Sequence, residues 1–124
     1  MAEVLSEVIA PALQRFQPDI LLVSAGYDAH WRDPLAGLQF QSRTYHRTCA
    51  ALKEMANELC GGRCVFILEG GYDLEALSEA VTDSFAALVG ETSIDTFHAE
   101  LLREEPREKV NSAISLARSV HGLS

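Results

Sequence analysis

Ile20-Leu21-Leu22-Val23-Ser24 and Cys64-Val65-Phe66-Ile67-Leu68 decide the fold of this chain. Each is a short, continuous apolar run rich in branched residues. Pro18 and Gly26 bound the first; Gly61-Gly62 and Gly70-Gly71 bound the second. Runs of this length without polar alternation read as strands buried on both faces of a parallel sheet. Between them, Ser42 is placed to cap a helix that carries Tyr45, Cys49, Leu52, Met55, Ala56 and Leu59 on one face, and Gly61-Gly62 stops it. The product is an α/β chain built on a βαβ unit, with parallel strands near 19–24 and 64–69 and flanking helices.

Working outward, Val4, Leu5, Val8, Ile9, Ala12, Leu13 and Phe16 form a helical stripe over 3–16. Pro11 lies inside it and predicts a kink or a restart there, and Pro18 ends it. On the other side, Glu69-Gly70-Gly71-Tyr72 makes a sharp turn and Asp73 caps a helix. That helix is expected to bury Leu74, Leu77, Val81, Phe85 and Leu88, and Gly90 ends it. After a linker at about 91–95, Pro106 opens a last helix with Val110, Ile114, Ala117 and Val120 in register. The division is thus a 1–90 body and a 91–124 helical tail. Two strands buried on both faces need neighbours, and no further strand is legible, so the chain reads as part of a larger domain.

With 124 residues there is room for one core or a share of one. The composition, 48% hydrophobic and 23% charged, is that of an ordinary globular protein. A net charge of −8 argues against a broad electrostatic grip on nucleic acid or anionic lipid. No apolar run approaches the roughly 20 residues that cross a bilayer. The opening Met1–Phe16 has two glutamates and no basic lead, unlike a secretory signal or an Arg- and Ser-rich transit peptide. Cys49, Cys60 and Cys64 are an odd set, which predicts a reducing, intracellular compartment: cytoplasm or nucleus, with an organelle left open. Cys60-Gly-Gly-Arg-Cys64 is spaced wider than a CxxC pair and has no second half, so Cys64 reads as a small hydrophobe.

In a right-handed βαβ unit both strands end on the same sheet edge, and open parallel sheets bind ligands there. Ser24–Gly37 and Glu69–Asp73 are those ends. Asp28, after Gly26, projects toward the crevice as a metal ligand or base, or else forms an Asx-turn. Tyr72 offers a protonated phenol that donates to an oxygen gaining charge, or else plugs the sheet edge. His30 stands two residues from Asp28 in a loop, where nothing fixes its direction, and is expected to be solvent-exposed. No helical His-x-x-x-His is present, and Gly70-Gly71 lacks the pattern of a phosphate loop.

Ser24-Ala25-Gly26-Tyr27-Asp28-Ala29-His30 with Asp33-Pro34-Leu35-Ala36-Gly37, followed by Leu68-Glu69-Gly70-Gly71-Tyr72-Asp73-Leu74, resembles the zinc-dependent histone deacetylase and acetylpolyamine amidohydrolase family. The likeness covers about residues 10–90, and the Glu-Gly-Gly-Tyr wording is similar to class II and bacterial-type members. The resemblance implies a C-terminal portion of a three-layer α/β/α fold of the arginase-deacetylase type. It implies Asp28 as one ligand of a zinc ion and Tyr72 as the group that polarises the scissile carbonyl. Leu35, Gly70 and Gly71 fall where the acyl-lysine substrate is lined. Substrates implied are acetylated proteins or small acetylated amines, with no direct nucleic-acid or membrane partner. The family's remaining zinc ligands and its tandem histidine base lie upstream of these motifs and have no counterpart here. The chain alone is therefore expected to be inactive. The alternative is a non-catalytic α/β interaction module that associates through its strand edges.

Overall fold

Leu21–Gly26 (β1) and Cys64–Gly70 (β2) pair in parallel in the computed structural model, with Leu21 level with Cys64 and Ala25 level with Leu68. The structure describes residues 1–35, 37–97 and 106–123. Ala36 of the Asp33–Gly37 motif and residues 98–105 of the tail, His98 included, lie outside the described residues. β1 starts and ends slightly later than its apolar run, because the first ladder bond is Leu21 N–H to Arg63 O, 2.9 Å. At its far end the register slips. Gly26 is level with Gly70, so Glu69 is an extra residue bulged out of β2.

The connection between the strands is Ser42–Cys60 (α3). It starts one residue earlier than its serine suggested. Gln41 occupies the cap, its N–H donating to Thr44 Oγ1 at 3.2 Å, while Ser42 is buried inside the first turn. Leu74–Val89 (α4) follows β2, with Asp73 Oδ1 accepting the Ala76 N–H at 2.9 Å as the expected cap. Tyr45 of α3, Ala80 of α4 and Ala25 of β1 meet in one apolar cluster, so both helices cover the same face of the sheet. A second cluster joins Leu21, Ala56 and Cys60, with Leu13, Met55 and Cys64 against it.

The opposite face is bare. Leu22 is 66% exposed and Ile67 56%, with Val65 also open. The expectation of burial on both faces therefore holds for one face only. The apolar composition of the runs records a second covering layer that the described residues do not supply. Of the three layers, the described residues contain the sheet and one helical layer.

α4 also departs from its expected stripe. Its buried positions are Ala76, Ala80, Asp83, Ser84 and Ala87, whereas Leu74, Phe85 and Val89 are exposed. Small side chains at i, i+4, i+8 and i+11 let the α4 backbone approach α3 closely. Of the residues that carried the sequence expectation, Leu77 and Val81 pack against the Tyr27–Tyr45–Ala80 cluster, while Leu74 and Phe85 lie on another arc of the helix.

At the N-terminus, Ala2–Val4 (α1), a π-helical turn over Leu5–Ile9 and Ala10–Phe16 (α2) run on without a break. The widened turn absorbs the missing N–H and the ring of Pro11, so the helix neither stops nor restarts there. Arg107–His121 (α5) packs back on it through Arg107–Glu3 at 2.9 Å and Arg118–Glu7 at 3.1 Å. Among the described residues, no helix is long and apolar enough to cross a membrane.

Candidate active site

Both strand ends emerge at one edge, and the backbone ties them together: the Tyr27 N–H donates to Gly70 O at 2.8 Å. Asp28 follows at once. Its carboxylate fills the space where side chains at two glycines would stand. A Cβ on Gly70 would lie 2.8 Å from Asp28 Oδ2, and one on Gly26 would lie 3.1 Å from Oδ1. Gly26 thus serves by leaving room; it takes no left-handed conformation, contrary to a tight-turn role. By strand alternation Gly26 belongs to the side of Leu22 and Ser24, so the Asp28 carboxylate sits toward the bare face of the sheet.

Asp28 is not the Asx-turn residue. Among the described residues no N–H or O–H donates to its carboxylate. That local role belongs to Asp33, whose Oδ1 accepts the Leu35 N–H at 2.9 Å. The other oxygen of Asp33 accepts the Tyr72 N–H at 2.7 Å, which joins the two loops.

Tyr72 stands after Gly71, whose φ of 135° only glycine adopts without strain. A Cβ at Gly71 would come within 2.9 Å of Leu77 Cδ1 and 3.1 Å of Tyr27 Cβ, so the turn threads a narrow gap. The Tyr72 side chain is 55% exposed and its phenol makes no hydrogen bond among the described residues. It is no plug of the apolar interior. Leu35 is 70% exposed on a hollow of about 430 Å³ shared with Trp31, Asp33, Pro34 and Leu38. The structure thus brings Asp28, Gly70 and the Tyr72 backbone to one edge, with Leu35 on the loop tied to them through Asp33.

His30 overturns the expectation of an exposed loop residue: it is 0% exposed. Trp31 N–H donates to Phe40 O at 2.9 Å and Phe40 N–H to Ala29 O at 3.0 Å, which closes the loop at its neck and turns His30 inward. Its Nδ1 accepts the Arg32 N–H at 3.2 Å, so the ring proton lies on Nε2, 3.5 Å from Ser42 Oγ. Phe97 meets the ring edge-on at 5.8 Å. Burial pushes its pKa below the ordinary histidine value and keeps it neutral. His30 is a packed core histidine with both nitrogens engaged.

Beneath the loop, Tyr45 OH donates to Tyr27 O at 3.0 Å, while Tyr27 OH donates to Ser84 Oγ at 3.0 Å and Ser84 Oγ to Ala80 O at 2.8 Å. Burial raises both phenol pKa values, so both stay protonated donors. Above it, Arg32 pairs with Asp73 at 3.3 Å and Glu75 at 3.0 Å, its guanidinium 4.3 Å from the centre of the Phe97 ring. Residues 91–97 therefore do more than link: Asp83 holds them through the Ser93 hydroxyl and the Ile94 N–H, each at 2.6 Å. Sequence reasoning missed Asp33, Arg32 and the Tyr27–Tyr45 pair. Only Asp33 carried a signal, as the turn-forming half of Asp-Pro.

A zinc ion asks for three protein ligands and an open position. Asp28 fits as one of them: a carboxylate in a glycine cradle with no donor among the described residues. The described residues form no group of three His, Cys, Asp or Glu able to hold a metal. Cys60 and Cys64 pack with Leu21 and Ala56, and all three cysteines are free thiols.

The histone deacetylase domain model matches residues 1–88. "Histone deacetylase 10, chloroplastic" of Oryza sativa subsp. japonica is 57% identical over 94% of this chain, and "Histone deacetylase 14, chloroplastic" of Arabidopsis thaliana 54% over 99%. The chain spans 27% and 30% of the length of those two relatives. Among solved structures, the HDA15 HD domain matches 95% of this chain and 29% of its own, with a TM-score of 0.73 and 27% identity. The histone deacetylase Clr3 shares the fold over 97% of this chain and 19% of its own, with a TM-score of 0.77 and 22% identity. The domain match over residues 1–88 and these two relatives place the chain in the histone deacetylase family.

Proposed function

We propose that this chain is the strand-end portion of a zinc-dependent deacetylase that hydrolyses acetyl-lysine in proteins or a related acetylated amine. The observation that carries the reading is the Asp28 carboxylate, without a donor among the described residues and cradled by Gly26 and by Gly70, two residues before Tyr72. In this role Asp28 is a metal ligand and Tyr72 the catalytic donor. Leu35, Gly70 and Gly71 line the substrate. Bound zinc would supply Lewis acidity toward the amide carbonyl and its attacking water. The Tyr72 phenol donates a hydrogen bond to the carbonyl oxygen as negative charge develops there. The glycines at 70 and 71 keep side chains out of that approach, and Leu35 presents an apolar surface to the acyl-lysine stem.

The remaining ligands and the base come from other segments of the longer protein, which makes residues 1–124 inactive by themselves. The names of the rice and Arabidopsis relatives favour the plastid as the compartment, the organelle branch of the sequence expectation. Full-length protein should release acetate from an acetyl-lysine peptide and lose that activity on chelation. Zinc-independent release, or equal activity from residues 1–124, would refute the reading. A second reading, a non-catalytic interaction module, draws on the bare apolar face at Leu22, Val65 and Ile67. It predicts an active partner complex and an inactive full-length chain.

A further inference from the structure

Asp33 joins the two loops more tightly than any other side chain at this edge. It is only 8% exposed, and a carboxylate buried that deeply must be satisfied by donors. Two of these donors are backbone N–H groups from different loops: Leu35 at 2.9 Å and Tyr72 at 2.7 Å. Both are charge-assisted bonds, stronger than neutral pairs. The same carboxylate therefore fixes the tip that carries Leu35 and the backbone from which the Tyr72 phenol projects. The phenol has no hydrogen bond of its own among the described residues, so its direction depends on where that backbone is held. Asp33 is itself held, its N–H donating to His30 O at 2.9 Å in the buried neck of the loop. Arg32 adds a second tie from the same loop to Asp73, the residue after Tyr72.

We propose that Asp33 is a positioning residue for Tyr72: its buried carboxylate bridges the Leu35 and Tyr72 amides and sets the distance from substrate lining to carbonyl donor. The proposal rests on the deacetylase reading above. Asp33 touches neither substrate nor metal in this role; it acts through Tyr72. A misplacement of about 1 Å at a reacting centre costs up to roughly 100-fold in rate.

The test compares wild-type, Asp33→Ala and Asp33→Asn full-length protein on an acetyl-lysine peptide, with zinc content measured on each sample. Asp33→Ala should lower kcat roughly 10- to 100-fold per zinc-loaded enzyme and leave KM within about threefold, the pattern of a lost transition-state interaction. Asp33→Asn keeps a carbonyl oxygen that can accept the Tyr72 N–H and should recover part of the loss. Adding Tyr72→Phe to Asp33→Ala should cost little more than Tyr72→Phe alone, since both act through one phenol. If Asp33→Ala does not fold, Asp33→Asn carries the test through its kcat and the same double variant. Wild-type kcat per zinc-loaded enzyme in the variant that folds, or losses that multiply in the double variant, would overturn the positioning role alone. A wild-type protein with no zinc-dependent deacetylation would overturn the deacetylase reading and this proposal with it.

Discussion

After β1 the chain travels from Tyr27 to Gln41 before α3 begins, closed at its neck by the Phe40 bonds and filled by His30, Asp33 and the Tyr27 ring. After β2 it needs only Gly71, Tyr72 and Asp73 before α4, and Tyr72 is exposed. The longer segment is held by buried side chains. The shorter is held by backbone conformation and by bonds lent from the longer one: Gly70 O to Tyr27 N, Tyr72 N to Asp33, Asp73 to Arg32. Length and rigidity are decoupled here. Substitutions among the packing residues of the first segment, Asp28, Asp33 and Leu35 set apart, should register as lost stability, and those in the second as lost chemistry.

The largest effect that separates the two is expected from Tyr72→Phe in the full-length protein. Removing one donor to a developing oxyanion lowers kcat by roughly 100- to 1,000-fold. Because the phenol is exposed and makes no hydrogen bond among the described residues, the melting temperature should stay put. Steady-state kinetics beside a thermal melt would check both halves, and a parallel fall in stability would erase the contrast. Next, Gly70→Ala places a Cβ 2.8 Å from Asp28 Oδ2 and must displace that carboxylate. Zinc affinity, read by competition with a chelator, should fall at least about tenfold, the scale of a perturbed ligand.

Smaller effects sharpen the stability side. Tyr27→Phe removes the bond to Ser84 and should cost about 1 kcal/mol in urea unfolding, with kcat unchanged. Glu79 tests the strap at 91–97, where it accepts the Thr96 N–H at 3.1 Å and the Thr96 hydroxyl. Burial pushes its carboxyl up, but hydrogen bonds from Thr96 and Ser42 outweigh that and hold its pKa below the ordinary value. A lowered folded-state pKa means the unfolded chain binds the proton more readily, so this contribution is full above the unfolded pKa and lost as pH falls through the folded one. The protection factor of the Thr96 amide, referred to the intrinsic exchange rate at each pH, should fall with that acidification, whereas in Glu79→Gln it stays flat.

The two strands, the loop edge and the Asp28 and Tyr72 motifs were legible because apolar runs and glycine turns are local signals. Burial was less so. Residues 20–24 and 64–68 read as doubly covered, and the exposure of Leu22 and Ile67 shows that the described residues cover one face only. On α4 the helix period was legible but the packed arc was not, since Ala76, Ala80 and Ser84 carry little apolar weight individually. His30 was misread because its burial depends on Phe40 and Phe97, partners distant in sequence. Asp33 was visible as a turn former, yet its bond to Tyr72 needs the two strand ends side by side, which no spacing rule encodes.

The bulged Glu69 carries one more consequence, one of phase. A regular ladder would set Glu69 opposite Gly26 and swing Gly70 to the helical side; the inserted position instead brings Gly70 into step with Gly26, opening the niche for Asp28. Glu69 is therefore the inserted residue, tied down by one bond from Ser24. Its deletion would close the bulge and leave Gly70 in the regular place opposite Gly26, so the phase at the glycine would survive while the local bend of the strand would not.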